Sequence, residues 1–146
     1  MEAGMDEKLI EIREYTGAGY RPLVDYGAWR VAILNYLEEI HPAHNNQMER
    51  HNETDEVFVL LKGRAILFAG EGATRVQVIH PQVMEAGKIY NVKRGVWHTI
   101  IMSPEASVLI TENRDTTQAN SDYSPLTEEQ RRFLQETAHR TYPDLW

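Results

Sequence analysis

The sequence contains no cysteine, which excludes disulfides, thiolate metal sites and cysteine nucleophiles. No apolar run in it comes near the roughly 20 residues of a membrane-spanning helix, so no membrane association is expected. Positive charge is in short supply. Fifteen Lys and Arg face 22 Asp and Glu, for a formal net charge of −7. Nucleic acid, whose phosphates draw clustered Lys and Arg, is therefore not an expected partner. The opening "MEAGMDEKLIEIRE" is acidic, where a secretory signal is basic and then apolar. A cytoplasmic location is the expectation. Repeats, low-complexity tracts and linkers are also missing, and 146 residues suit one domain. A domain of that size buries roughly 70 % of its unfolded surface and needs no disulfide or structural zinc.

What is present is a series of short β-branched and aromatic runs. Residues 1–27 read as an N-terminal extension: "EKLIEIREY" fits helix and strand equally badly, and "TGAGYRPLVDYG" is rich in turn residues. A buried strand is expected over 29–37, followed by the polar connection "EEIHPAHNNQMERHNETD". Strands at 57–61 and 64–69 flank Gly63, and further short strands run to 102, with turn signals at Glu71-Gly72, His80-Pro81, Ala86-Gly87 and Arg94-Gly95. "ASVLITEN" closes a β domain over 28–113. Short strands with turns every 8–12 residues point to an all-β sandwich or small barrel. The tail, 114–146, is different. Thr127 followed by Gln130 is a capping-box pattern, with Glu128 and Glu129 early and Arg131 and Arg132 later. It predicts a surface helix over about 127–139, with Leu126, Phe133 and Leu134 as its apolar stripe.

Chemistry-bearing residues gather beside two strands. Glu49, His51, Glu53, Asp55 and Glu56 precede one apolar run, and His98 precedes another. Side chains two apart in a strand share a face, so Glu49 and His51 project together, as do Glu56, Phe58 and Leu60. A hairpin through 52–55 would return Glu56 to His51, with His98 arriving from another strand. Two imidazoles with carboxylates form a set that suits non-haem Fe(II) with open positions. Glu49 as a further oxygen ligand would favour Fe(II), Mn(II) or Ni(II) over Zn(II). Without a metal, Glu49 and Glu56 would sit close together, one of them protonated or paired with Arg50 or Lys93. His41 and His44 form a second cluster that reads as solvated loop. Lys88, Lys93 and Arg94 could attract an anion, but the solvated reading is favoured.

These residues carry a resemblance. Glu49-x-His51, four residues, Glu56, six residues, Gly63 is similar to the first motif of the cupin superfamily, with Glu49 in place of a histidine. Gly87, five residues, Lys93-x-Gly95-x-x-His98, three residues, Met102 is similar to the second, with Lys93 for proline and Met102 for asparagine. The resemblance implies a single-domain jelly-roll β-barrel in which His51, Glu56, His98 and Glu49 hold a divalent metal (Fe, Mn, Ni or Zn). Glu49 would alternatively serve as general base, with Phe58, Tyr90 and Met102 on the substrate pocket. It further implies a small polar metabolite as ligand, turned over by an isomerase, epimerase, lyase or dioxygenase reaction. A metal-free binding or sensing barrel is the alternative. Homodimers paired through edge strands are expected, with the first 25 residues wrapping the partner subunit.

Overall fold

The structure is a computed structural model, and it describes residues 4–146. Ten strands form two antiparallel five-stranded sheets. In chain order they are β1 (Gly19–Tyr26), β2 (Trp29–Asn35), β3 (Gln47–His51), β4 (Glu56–Lys62), β5 (Ala65–Glu71), β6 (Val78–Val83), β7 (Ile89–Val92), β8 (Trp97–Met102), β9 (Ser107–Asn113) and β10 (Ser121–Pro125). One sheet has the order β1-β2-β9-β4-β7 and the other β10-β3-β8-β5-β6. The sheets close over a core that includes Leu34, Phe58, Leu60, Leu67, Ile100 and Ile110. This is the expected all-β jelly roll. No helix among the described residues is long and apolar enough to cross a membrane.

Helix α1 (Glu128–Thr141) starts where the sequence predicts it and runs two residues past the expected end. The Thr127 side chain accepts from the Gln130 backbone and the Gln130 side chain accepts from the Thr127 backbone. Its buried Leu134 and Ala138, with Leu126 ahead of it, pack on Met48, Phe68, Trp97 and Ile101, the outer face of the second sheet. Phe133, expected in the stripe, is instead 36 % exposed on the rim.

Five sequence expectations are corrected here. The turn-rich "TGAGYRPLVDYG" contains β1, whose pairing with β2 bends through an irregularity between Pro22 and Val24. Pairing overrides the local turn signal because a bulge absorbs the misfit. His80-Pro81 is not a turn but lies inside β6. That strand is a sheet edge, where a residue without an N–H is tolerated. The polar connection before Glu56 contains β3, and the tail contributes β10, paired along its whole length with β3. Finally, 52–55 is no hairpin: β3 and β4 lie in different sheets, so the chain crosses the sandwich there. Asp55 accepts from the Arg94 backbone and Asn91, and Glu53 from Asn120, which pins the crossover down. Gly63 closes the next turn at φ +78°, and a Cβ there would lie 2.5 Å from Ala106 Cα.

The two sheets differ outside. The second is covered by α1. Strand alternation puts Val31, Ile33, Val57, Val59 and Leu109 on the outer face of the first, all only half-buried, and Leu61 and Ile89 there are exposed. The centre of this outer face is therefore apolar, whereas an antiparallel sheet facing water alternates apolar and polar. Leu9, Ile10 and Ile12 of the N-terminal segment are likewise exposed. The first three residues of the segment expected to wrap a partner lie outside the described residues.

Candidate metal centre

Four of the predicted residues meet at one end of the barrel. Glu49 and His51 point inward from β3, and His98 stands opposite Glu49 on the neighbouring β8. Glu56 opens β4 on the facing sheet. One ligand atom from each lies within 4.8 Å of the others. His98 Nε2 is 2.8 Å and His51 Nε2 3.2 Å from Glu56 Oε1. The same nitrogens lie 3.9 and 3.6 Å from Glu49 Oε1. His51, Glu56 and His98 are buried; the Glu49 side chain is 40 % exposed.

Hydrogen bonds behind the rings fix their tautomers. His98 Nδ1 is 3.0 Å from the Val96 carbonyl, which can only accept, so Nδ1 carries hydrogen. His51 Nδ1 is 2.8 Å from Ser121 Oγ. That hydroxyl donates its single hydrogen to the Thr117 carbonyl at 2.7 Å, so it accepts from Nδ1–H. Each neutral imidazole thus turns a bare Nε2 lone pair inward, the arrangement that metal-binding histidines need. A bare nitrogen 2.8 Å from a carboxylate oxygen is repulsive unless a proton or a cation lies between them. The donor set, the convergence and the locked tautomers all fit a divalent ion.

The charges respond accordingly. Burial alone would lower the His98 imidazole, but the Glu56 hydrogen bond and charge outweigh it and push His98 up to about 9. His51 is raised against its burial by the same carboxylate. Burial would raise Glu56, yet hydrogen bonds from His51 and His98 hold it well below the usual carboxylate range.

Beside the four groups lies a cavity of about 490 Å³. Its apolar wall includes Leu34, Phe58, Ile100 and Ile110, and Gln47, Gln118 and Tyr123 line it elsewhere. Phe58 is where the sequence places it. Tyr90 and Met102 are not among the lining residues. Met102 shares the inward face of β8 with His98 but stands four residues along, roughly 13 Å down the strand, packed in the core opposite Ala65. Tyr90 pairs with Phe58, one step deeper than Glu56, and its hydroxyl accepts from the Glu85 backbone. His41 and His44 stack on one another away from the site, and His44 pairs with Glu38. Arg50 pairs with Asp122 and lies over the Trp97 ring, so it neutralises neither Glu49 nor Glu56.

The sequence reading passed over Tyr20, Arg30, Glu112 and Ser121. Glu112, on β9, is buried and accepts from Arg30 Nη2 at 2.7 Å and the Tyr20 hydroxyl at 2.8 Å. Burial, then the charge of Glu56, raises its carboxyl. Strand parity carried a signal for two of them, since Arg30, Ala32, Leu34 and Val108, Ile110, Glu112 are inward series with one charged member each. Tyr20 and Ser121 carried none, because their strands were not expected.

No protein-family model and no curated protein matches the chain. Solved structures do resemble it. Pac13 of Streptomyces, a nucleoside dehydratase, superposes with TM-score 0.55 at 10 % identity, over 79 % of this chain and 86 % of that one. The crystal structure of Fe(II) HppE superposes with TM-score 0.50 at 15 % identity, over 64 % of this chain and 48 % of that one. A cupin-2 domain protein from Shewanella frigidimarina gives TM-score 0.47 at 19 % identity, over 74 % of this chain and 89 % of that one. With Pac13 and Fe(II) HppE the chain shares its fold.

Proposed function

We propose that Glu49, His51, Glu56 and His98 hold a divalent metal ion and that the cavity beside them takes a small polar metabolite for turnover. The observation that carries this reading is that both Nδ1 atoms are engaged behind the rings, so that both Nε2 atoms converge on Glu56. When bound, such an ion supplies Lewis acidity or, as Fe(II), an oxygen-binding redox centre. Glu56 fastens the two rings to each other across the sandwich. Where Glu49 does not ligate the ion, its exposure and its position on the cavity wall suit it to take a proton from a bound ligand. An isomerase, epimerase or lyase reaction follows if proton transfer is the whole chemistry, a dioxygenase reaction if oxygen enters. Pac13 and Fe(II) HppE illustrate how differently one fold is used, so neither decides between these.

A metal-free binding barrel is the second reading, favoured by the fact that two protonated imidazoles on Glu56 also complete the site. Elemental analysis of protein purified without added metal separates the two. Near-stoichiometric Fe, Mn, Ni or Zn is the expected result. No metal, together with a thermal midpoint that added divalent ions leave unmoved, would establish the second reading. Substrate-dependent oxygen uptake by Fe(II)-loaded protein then tests the dioxygenase branch.

The proposal extends to a homodimer formed through the outer face of the first sheet, in place of the edge strands. No Asp or Glu points outward from β2, β4, β7 or β9. Copies with a net charge of −7 repel one another elsewhere, so this acid-free face is where two can meet. Leu109 stands at its centre, between Ile33 and Val59. Light scattering at micromolar concentration should give a dimer, and Leu109→Glu a monomer with an unchanged circular dichroism spectrum. A monomeric parent protein would refute the assignment.

A further inference from the structure

Glu112 is a carboxylate that the four converging groups do not use. Its Oε1 takes both donors, Arg30 and Tyr20, while Oε2 is enclosed and has no hydrogen-bond partner among the described residues. Oε2 lies 3.8 Å from His51 Nε2, and Glu112 is one of the residues that line the cavity. Leaving such an oxygen unpaired is unfavourable, because it gives up water and gains no donor in exchange. The carboxylate cannot turn to relieve this. Arg30 is itself tied to the carbonyls of Arg114 and Thr116 and to the Tyr20 oxygen, so the whole group is held in one orientation. The side chain is only 3 % exposed, and what is missing is a donor.

The cavity also selects by charge. Arg30 is the one Lys or Arg among its lining residues, and its N–H groups already serve Glu112, Tyr20 and two carbonyls. Glu39, Glu49, Glu56 and Glu112 line the same space. Even with a divalent ion in place, that ion and Arg30 bring three positive charges against these four carboxylates, so a phosphate or carboxylate entering there still meets net negative charge. A flat, partly apolar molecule with hydroxyl groups meets Leu34, Phe58, Ile100 and Ile110 on one side and acceptors on the other.

We infer that Glu112 Oε2 accepts a hydrogen bond from a hydroxyl group of the ligand, and that the cavity takes an uncharged polyhydroxy compound, a neutral sugar or sugar derivative, in preference to phosphorylated or acidic ones. This rests on the reading above that the cavity beside the metal ligands is the ligand site, and it narrows the ligand class. Glu112 positions the ligand; it makes no bond to the metal in this assignment.

The test is a thermal-shift series on Mn(II)-loaded protein with D-ribose, D-xylose and D-lyxose, their 5-phosphates and the matching aldonic acids. A midpoint shift from at least one neutral pentose is expected, with at least tenfold weaker apparent binding of its charged counterparts. Glu112→Gln should weaken the pentose at least tenfold while keeping Mn(II) content and the circular dichroism spectrum. Glu71→Gln, an exposed carboxylate outside the cavity, should retain the shift. Shifts confined to charged compounds, no shift from any compound, or pentose binding unchanged in Glu112→Gln would each overturn the assignment. Equal loss in Glu71→Gln would mark the effect as unspecific and overturn it too. Sub-stoichiometric Mn(II) in the parent protein would count against the metal reading alone, and the same series on metal-free protein then tests Glu112 separately.

Discussion

His98→Ala is expected to lose metal affinity by at least about 100-fold, the upper range for disturbing even a supporting partner of a metal ligand. The variant deletes one of two inward Nε2 atoms and leaves Glu56 with His51 alone. Glu56 is 5 % exposed, so its charge has little water to fall back on. Breaking a buried pair by removing one partner costs about 3–5 kcal/mol. In a domain of this size that corresponds to a drop of roughly 10 °C in thermal midpoint. Both losses should appear together, in elemental analysis and in calorimetry of the metal-free protein. His98→Ala that keeps stoichiometric metal would remove His98 from the ligand set.

The second large effect is a pair of opposed pH trends. His98 rises from an ordinary 6.5 to about 9 in the folded protein. Its contribution to stability is therefore whole below pH 6.5 and is lost as pH climbs through about 9. A shift of that size amounts to on the order of 3 kcal/mol. Glu56, held low, acts at the other end: its contribution is present above the usual carboxylate value of 4.5 and disappears only in stronger acid. The two shifts describe one interaction and are counted once. Metal-free protein should thus be most stable between about pH 4.5 and 6.5 and weaken toward 9. Metal needs the deprotonated rings, so the stabilisation that added Mn(II) or Ni(II) brings should grow over the same interval. Thermal scans with and without metal from pH 5 to 9 check both trends. A midpoint flat across that range would contradict the ion pair on which both rest.

What was legible in the chain follows from how far each signal reaches. The ligand set could be read because β-strand parity is local: Glu49 and His51 share a face, as do Glu56 and Phe58, whatever lies around them. How those faces meet could not, since pairing is decided by distant strands. The segment 52–55 looks like a hairpin turn and is a crossover between sheets, and no residue within it distinguishes the two. Strand β1 was hidden by its glycines and proline, and the β6 His80-Pro81 pair by a turn signal that an edge strand overrides. Tyr90 and Met102 have inward parity but the wrong depth, which parity does not encode. Glu112 was the reverse case: a lone charge in an inward apolar series was visible, but its partner Tyr20 lay in a strand that was not.

Ser121 has a consequence beyond its own hydrogen bond. It sits on β10, which lies against β3 and leads through Leu126 into the helix packed behind the second sheet. The oxygen that decides which nitrogen of His51 carries hydrogen is thus held by the last quarter of the chain. A disturbance there, whether a clipped tail or a loosened helix, would release the ring to rotate or change tautomer with all four converging side chains intact. The tail is in effect a remote control on the proton inventory of the centre, and a barrel trimmed of it would have the right residues in the wrong protonation state.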